Sequence, residues 1–238
     1  MATATKIIIS KTKEIKSVED WRVYAPPQNP SKHWKDGHSA KLLAEYAMSK
    51  NFKDDILKII KECEFCVPSV IYGEPEVSTK LPASSRGPRK HDLLLTGNDF
   101  VIGVEAKVSE SFDKTIKVYQ EKKGDRLQRI VAMLKYLGKS IEEAGEYRYQ
   151  LLTGLVGTLL EAKKRGKKKC LFLVISFTGE VNASAQNIEK NNKDFETFCS
   201  SLLGLTPNGG TKVYKIDDKE ITCYIKKVNV KRHFTMKL

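Results

Sequence analysis

The chain has 238 residues, 40% hydrophobic and 30% charged, the balance of a soluble folded protein long enough for one sizeable core. No run approaches the roughly 20 apolar residues of a membrane helix. The opening MATATKIII has no long apolar stretch or cleavage site, so a cytoplasmic protein without a signal peptide is expected. The 42 Lys+Arg against 29 Asp+Glu give a net charge of +13, which suits a polyanionic partner and equally fits plain solubility charge.

Residues 5–9 read as an edge strand, and Pro26, Pro27 and Pro30 keep the following segment out of a helix. Asp36-Gly-His-Ser39 opens a helix with Ser39 or Asp36 as N-cap and Ala40, Leu42, Leu43, Ala44, Tyr46 and Ala47 as its apolar positions. A second helix is predicted over 53–62 and a strand over 67–72. Five cysteines is an odd number, so reduced thiols are expected. Cys63-Glu-Phe-Cys66 is a lone CxxC without the second ligand pair that a zinc site needs.

Residues 91–108, HDLLLTGNDFVIGVEAKV, read as two apolar strands joined at Thr96-Gly-Asn-Asp99. Ile102, Val104, Ala106 and Val108 alternate onto one side, which leaves Glu105 and Lys107 together on the other. Asp92 leads the preceding strand. Two carboxylates beside a backbone carbonyl such as that of Ala106 suit a hard cation like Mg²⁺, and Lys107 is placed to position or deprotonate a water. Glu-x-Lys itself is weak evidence, since it occurs four times; the other three lie in polar or charged helical stretches. A strand carrying a surface ion pair is the plainer alternative.

Residues 116–138 are expected to be largely helical, with Leu127, Ile130, Val131 and Leu134 on one stripe. A long helix follows over about 141–165. Gly154 and Gly157 within it suggest close packing against another backbone, and Gln150 lies at the edge of its buried stripe. The run 169–177 (KCLFLVISF) has the look of a central strand covered on both faces. Residues 180–194 are read as a loop, 195–203 as a short helix ending at Gly204, and 212–216 with 221–228 as a closing hairpin. Basic clusters stand at 163–169 and at Lys226, Lys227, Lys231 and Arg232. With no repeats and no long linker, a single domain is expected, with a core over about 36–177 followed by a helix and hairpin over 190–230.

The Asp92 strand followed by Glu105-Ala-Lys107 resembles the signature of the PD-(D/E)XK, or restriction-endonuclease-like, nuclease superfamily. His91 stands where that pattern often has Pro. Trp21, Pro26-Pro27, the block HWKDGHSAKLLA at 33–44, Val-Glu-Ala-Lys-Val and Arg148-Tyr-Gln-Leu-Leu152 are similar to blocks of a prokaryotic family that brings no substrate with it. The resemblance spans about residues 20–205. It implies an α/β fold with a central mixed sheet flanked by helices in αβββαβ order, and Mg²⁺- or Mn²⁺-dependent hydrolysis of phosphodiesters in nucleic acid, DNA rather than RNA. It assigns metal binding to Asp92 and Glu105, with Glu45 of the first core helix assisting, water positioning to Lys107, and a supporting role to Gln150. Glu45 and Gln150 read equally well as solvent-facing helix residues, and His38 as a cap. Many such nucleases pair as homodimers, but no residue here marks a dimer face. Two rivals remain: a nucleic-acid-binding module without hydrolysis, and a protein-interaction module on the same fold.

Overall fold

The computed structural model describes residues 5–83, 87–179 and 183–231. In chain order these form β1 (Lys6–Ile9), α1 (Val18–Tyr24), α2 (Pro30–His33), α3 (Ser39–Met48), α4 (Asn51–Glu62), β2 (Val70–Thr79), β3 (Arg89–Thr96) and β4 (Phe100–Lys107). Then come α5 (Ile116–Lys122), α6 (Asp125–Tyr136), α7 (Tyr149–Lys164), β5 (Lys169–Thr178), α8 (Ala185–Thr197), a π-helical turn (Phe198–Leu202), β6 (Gly209–Ile216) and β7 (Lys219–Lys231).

The seven strands make one mixed sheet in the order β1-β2-β3-β4-β5-β7-β6. β2, β3 and β4 run antiparallel in sequence, whereas β5 returns parallel to β4 and β7 parallel to β5. β1 is also parallel to β2; parallel pairing needs crossovers, and α1–α4 supply the one from β1 to β2 and α5–α7 the one from β4 to β5. Helices cover both faces. Ile102, Val104 and Ala106 of β4, with Val108 just past its end, pack on the face that carries α3 and α4, and Val101 packs on the opposite face, under α6 and α7. The alternation along β4 thus holds, while its burial at every position reflects a strand enclosed on both sides.

Several element boundaries differ from expectation. His38, which also reads as a cap, occupies the N-cap position of α3 in place of Ser39 or Asp36, without a side-chain capping bond. β2 continues through Pro75 to Thr79 because β1 stops at the Ile9–Gly73 pair, so Pro75 lies where β2 has an open outer edge. The helical stretch after β4 breaks at Lys123, whose φ of 37° lies in the left-handed region. α7 begins at Tyr149 rather than near 141, and residues 185–194 are helical rather than a loop, extending the helix expected from 195 toward the N-terminus. α8 buries little beyond Asn191 and Phe195, one turn apart. Residues 180–182 of the expected loop, and Arg232, lie outside the described residues.

Gly154 and Gly157 give α7 its close approach, but to side chains rather than backbone. A Cβ at Gly154 would lie 2.5 Å from the Phe172 ring. One at Gly157 would lie 2.9 Å from Cδ of Arg89 and 3.1 Å from Nε2 of His91.

Candidate active site

The β3–β4 backbone ladder ends at the Leu93–Val104 pair. Beyond it the Ala106 amide donates instead to Oδ2 of Asp92, at 2.7 Å. The carboxylate replaces a missing ladder partner and bridges the strands where they part.

Both β2 and β3 also change face at this point. On β3, Leu93 and Leu95 pack toward α3 and α4, whereas Arg89 and His91 lie under α7. On β2, Ile71 faces the α3–α4 side and Val77 the α7 side. Simple alternation would keep each set on one face. The switch falls at Glu76, with a left-handed φ of 52°, and at Asp92 beside it. The result turns Glu76, Lys90 and Asp92 toward the cavity that Glu105 and Lys107 also reach.

That cavity has a volume of about 1050 Å³. Asp92, Glu105, Ala106, Lys107 and Gln150 form part of its wall, with Lys32, His33 and His38 from the segment before α3 and Asn187 from α8. Four of the sequence-predicted residues therefore meet. Glu45 is not among the described residues lining the cavity, although Ser39 and Ala40 at the start of its helix are. Its carboxylate lies 3.9 Å from Lys41 instead. Five residues along a helix turn a side chain well away from Ala40. Asp36, Glu76 and Glu110 are further acidic groups of the wall, Glu76 paired to Lys90 at 3.3 Å.

Glu105 is the hub. Its Oε1 accepts from Lys107 at 2.8 Å and from the Gln150 amide at 2.5 Å, and its Oε2 accepts from Arg89 at 2.8 Å. The side chains of Glu105 and Arg89 are 1% and 6% exposed. Burial works to raise the Glu105 pKa, but Lys107 and Arg89 outweigh it and hold the carboxylate below its usual range. Burial likewise works against a charged Lys107, yet Glu105, Asp92 and Glu110 keep its pKa raised. Lys107 is therefore an ammonium at neutral pH, suited to orienting water and offsetting negative charge rather than to taking a proton. Asp92 behaves oppositely: burial, then the neighbouring Glu105 charge, push its pKa up to about 7. Two carboxylates this close resist joint ionisation until positive charge reaches them.

Behind the cavity lies a buried polar chain. Thr79 donates to Oε1 of Glu161 at 2.7 Å, and Nε2 of His91 lies 3.1 Å from the same hydroxyl. Because the one hydroxyl proton goes to Glu161, the histidine must be the donor at Nε2. Burial holds His91 neutral, with its pKa well below the usual value. Sequence reading missed Arg89, which lies outside the strand it recognised, and Glu76, which lies past a proline.

Among the described residues, no group of three or more His, Cys, Asp or Glu side chains is arranged to hold a metal ion. Two carboxylates facing one cavity nonetheless fit Mg²⁺, which commonly takes one or two carboxylates and completes its shell with water and phosphate. The 163–169 cluster lies at the other end of the sheet: Lys169 pairs with Phe100, seven residues along β4 from Lys107, or about 23 Å. Much of it is paired already, Lys163 with Asp217 and Arg165 with Glu161 and Glu74.

The chain is thus a mixed α/β protein whose sheet carries a buried acid–base cluster at one end. It belongs to a family described as a domain of unknown function, DUF6946, whose model matches residues 14–232. No curated protein and no solved structure matches it. Among the described residues, no helix is long and apolar enough to cross a membrane.

Proposed function

We propose that the protein is a metal-dependent nuclease with a restriction-endonuclease-like core, hydrolysing phosphodiesters in DNA rather than RNA. The observation that carries this reading is the convergence of Asp92, Glu105, Lys107 and Gln150, from β3, β4 and α7, on one cavity. The order α4-β2-β3-β4-α5-α6-α7-β5, with β5 parallel to β4, matches an αβββαβ succession once α5 and α6 are taken as additions before α7, and this supports the fold assignment. The net charge of +13 and the Lys32, His33 and Lys90 side chains along the cavity suit a phosphate backbone.

Asp92 and Glu105 would hold Mg²⁺ or Mn²⁺. The bound ion would polarise a phosphoryl oxygen and acidify a water. Lys107, kept charged by Glu105, orients the attacking water and offsets charge on the phosphorus. Gln150 fixes Oε1 of Glu105 without adding charge. The Ala106 amide fixes Asp92.

A second reading, nucleic-acid binding without hydrolysis, draws on Glu105 being engaged by two buried cations. Cleavage of mixed DNA and RNA with Mg²⁺ or Mn²⁺, wild type beside Lys107→Ala, decides between them. Metal-dependent cleavage lost in the variant supports the nuclease. Retained nucleic-acid binding with no cleavage, and no metal binding by calorimetry, would leave the binding module.

A further inference from the structure

β7 outruns one of its neighbours. Its pairing with β6 ends at Gly209 and Lys226, while its pairing with β5 continues to Lys231. The Thr222 amide donates to the Lys168 carbonyl on the β5 side, at 2.9 Å. Backbone groups alternate in direction along a strand, so the N–H and C=O of Lys227, Asn229 and Lys231 point to the open side. Among the described residues, no backbone group bonds them there.

A cavity stands on each face of this overhang, and Asn229 lines both. The larger, about 420 Å³, lies toward α4, with Ile59, Val228 and Val230 as apolar walls. The smaller, about 160 Å³, lies toward α8, with Phe195 and Pro207 in its wall and the Glu196 charge beside that of Lys227. An extended peptide laid along such an edge sends alternate side chains to opposite faces, one set to each cavity. The carboxylates of the larger cavity are already met, Asp55 by the Tyr46 hydroxyl at 2.7 Å and Glu62 by Lys226. Lys58 and Lys231 of the same cavity form no ion pair among the described residues, so its unmet charge is positive. A second copy fits the edge poorly. Antiparallel pairing about Asn229 would set Lys227 against Lys231 twice, and like charges directly opposite destabilise a ladder.

We propose that Lys227–Lys231 is a docking edge that takes an extended acidic peptide of a partner protein as an added strand of the sheet. Main-chain hydrogen bonds supply the affinity, and the two cavities with Lys58 and Lys231 select the side chains. The edge lies in the row Lys107–Ser176–Asn229, two strands and about 10 Å from Lys107. This inference stands whether or not the candidate site hydrolyses nucleic acid. The plainer role of edge lysines is to keep other strands away, and it predicts no binding.

The test is calorimetric titration of the full chain with two blocked hexapeptides, (Glu-Val)₃ and (Lys-Val)₃. The acidic peptide should bind at least roughly tenfold more tightly than the basic one. Asn229→Pro removes the central outward N–H and leaves the β5 ladder its bonds, so acidic-peptide affinity should fall roughly tenfold or more. Lys231→Glu should weaken the acidic peptide and strengthen the basic one. Should Asn229→Pro fail to fold, Lys231→Glu carries the test together with hydrogen exchange, in which the acidic peptide should slow the amides of Lys227, Asn229 and Lys231. No binding of the acidic peptide, or binding unchanged in the folded variants, overturns the proposal. Dimerisation abolished by Asn229→Pro would assign the edge to a second copy instead. A single-stranded DNA oligonucleotide that outcompetes the peptide and is lost in Lys231→Glu would assign it to nucleic acid, and either result overturns the peptide.

Discussion

Thr79 of β2 and Glu161 of α7 are joined by a 2.7 Å hydrogen bond, with both side chains buried. The bond ties the strand edge to the helix that covers the candidate site, and the same hydroxyl receives His91. Thr79→Val should cost about 1–3 kcal/mol, because it leaves buried polar groups without a partner at nearly constant volume. Thr79→Ser should restore most of it. Urea denaturation of the three proteins checks this, and equal stability of Val and wild type would show that the chain of bonds is dispensable.

Gly154→Ala and Gly157→Ala should each destabilise by about 1–3 kcal/mol through overpacking. Their consequences should differ, since Gly154 abuts the Phe172 ring and Gly157 abuts Arg89 and His91. At matched stability, Gly157→Ala should disturb metal binding more. Parallel denaturation and metal titration distinguish the two.

Gln150→Glu should set a third carboxylate against Oε1 of Glu105, where an amide now donates at 2.5 Å. Any metal-dependent cleavage should fall by at least ten- to a hundredfold, the usual scale for losing a group that orients a metal ligand. Gln150→Ala should fall less steeply. Cleavage by the Glu variant at the wild-type rate would remove Gln150 from the site.

Thiol chemistry should separate one cysteine from the rest. Cys66 is exposed, while Cys63, Cys170, Cys199 and Cys223 are buried. Burial pushes the Cys63 pKa up to about 11 and that of Cys199 to about 12. A raised thiol pKa means that little thiolate exists at pH 8, so these two should react only slowly. One fast equivalent of Ellman's reagent is expected at pH 8, rising to five in urea. Two or more fast equivalents in the folded protein would contradict the packing around them.

Charge reversal at the exposed Lys164 and Lys168 should leave cleavage within about threefold of wild type, because these residues stand far from the cavity and surface charge is screened within about 10 Å at 0.1 M salt. A larger loss would place the nucleic acid along the opposite end of the sheet.

Much of the site is local enough to read from sequence. Glu105 and Lys107 stand in a strand whose alternation is plain, Asp92 leads the apolar strand before it, and the turn at Gly97-Asn98 announces that the two strands are neighbours. Gln150 needed a resemblance, since a polar residue at the edge of a helical stripe carries no signal of its own. Arg89 and Glu76 were invisible for a physical reason: their placement comes from a paired change of face in β2 and β3, which breaks the period-2 rule on which strand reading depends. Glu45 shows the converse, a residue chosen by analogy that is not among the described residues lining the cavity. Most of the 185–197 helix escaped notice because its stability comes from two anchoring side chains rather than from an apolar stripe.

The parallel pairing of β4 with β5 bears on when the protein becomes whole. As the chain leaves the ribosome, Arg89, Asp92, Glu105 and Lys107 emerge together, but β5 and the helix that covers Glu105 follow only after the whole stretch from Ser109 onward. Contacts so distant in sequence form late. Until synthesis has passed Thr178, these groups lack both the helix that roofs them and β5, the strand that pairs the free edge of β4, so the cluster should assemble only after that point.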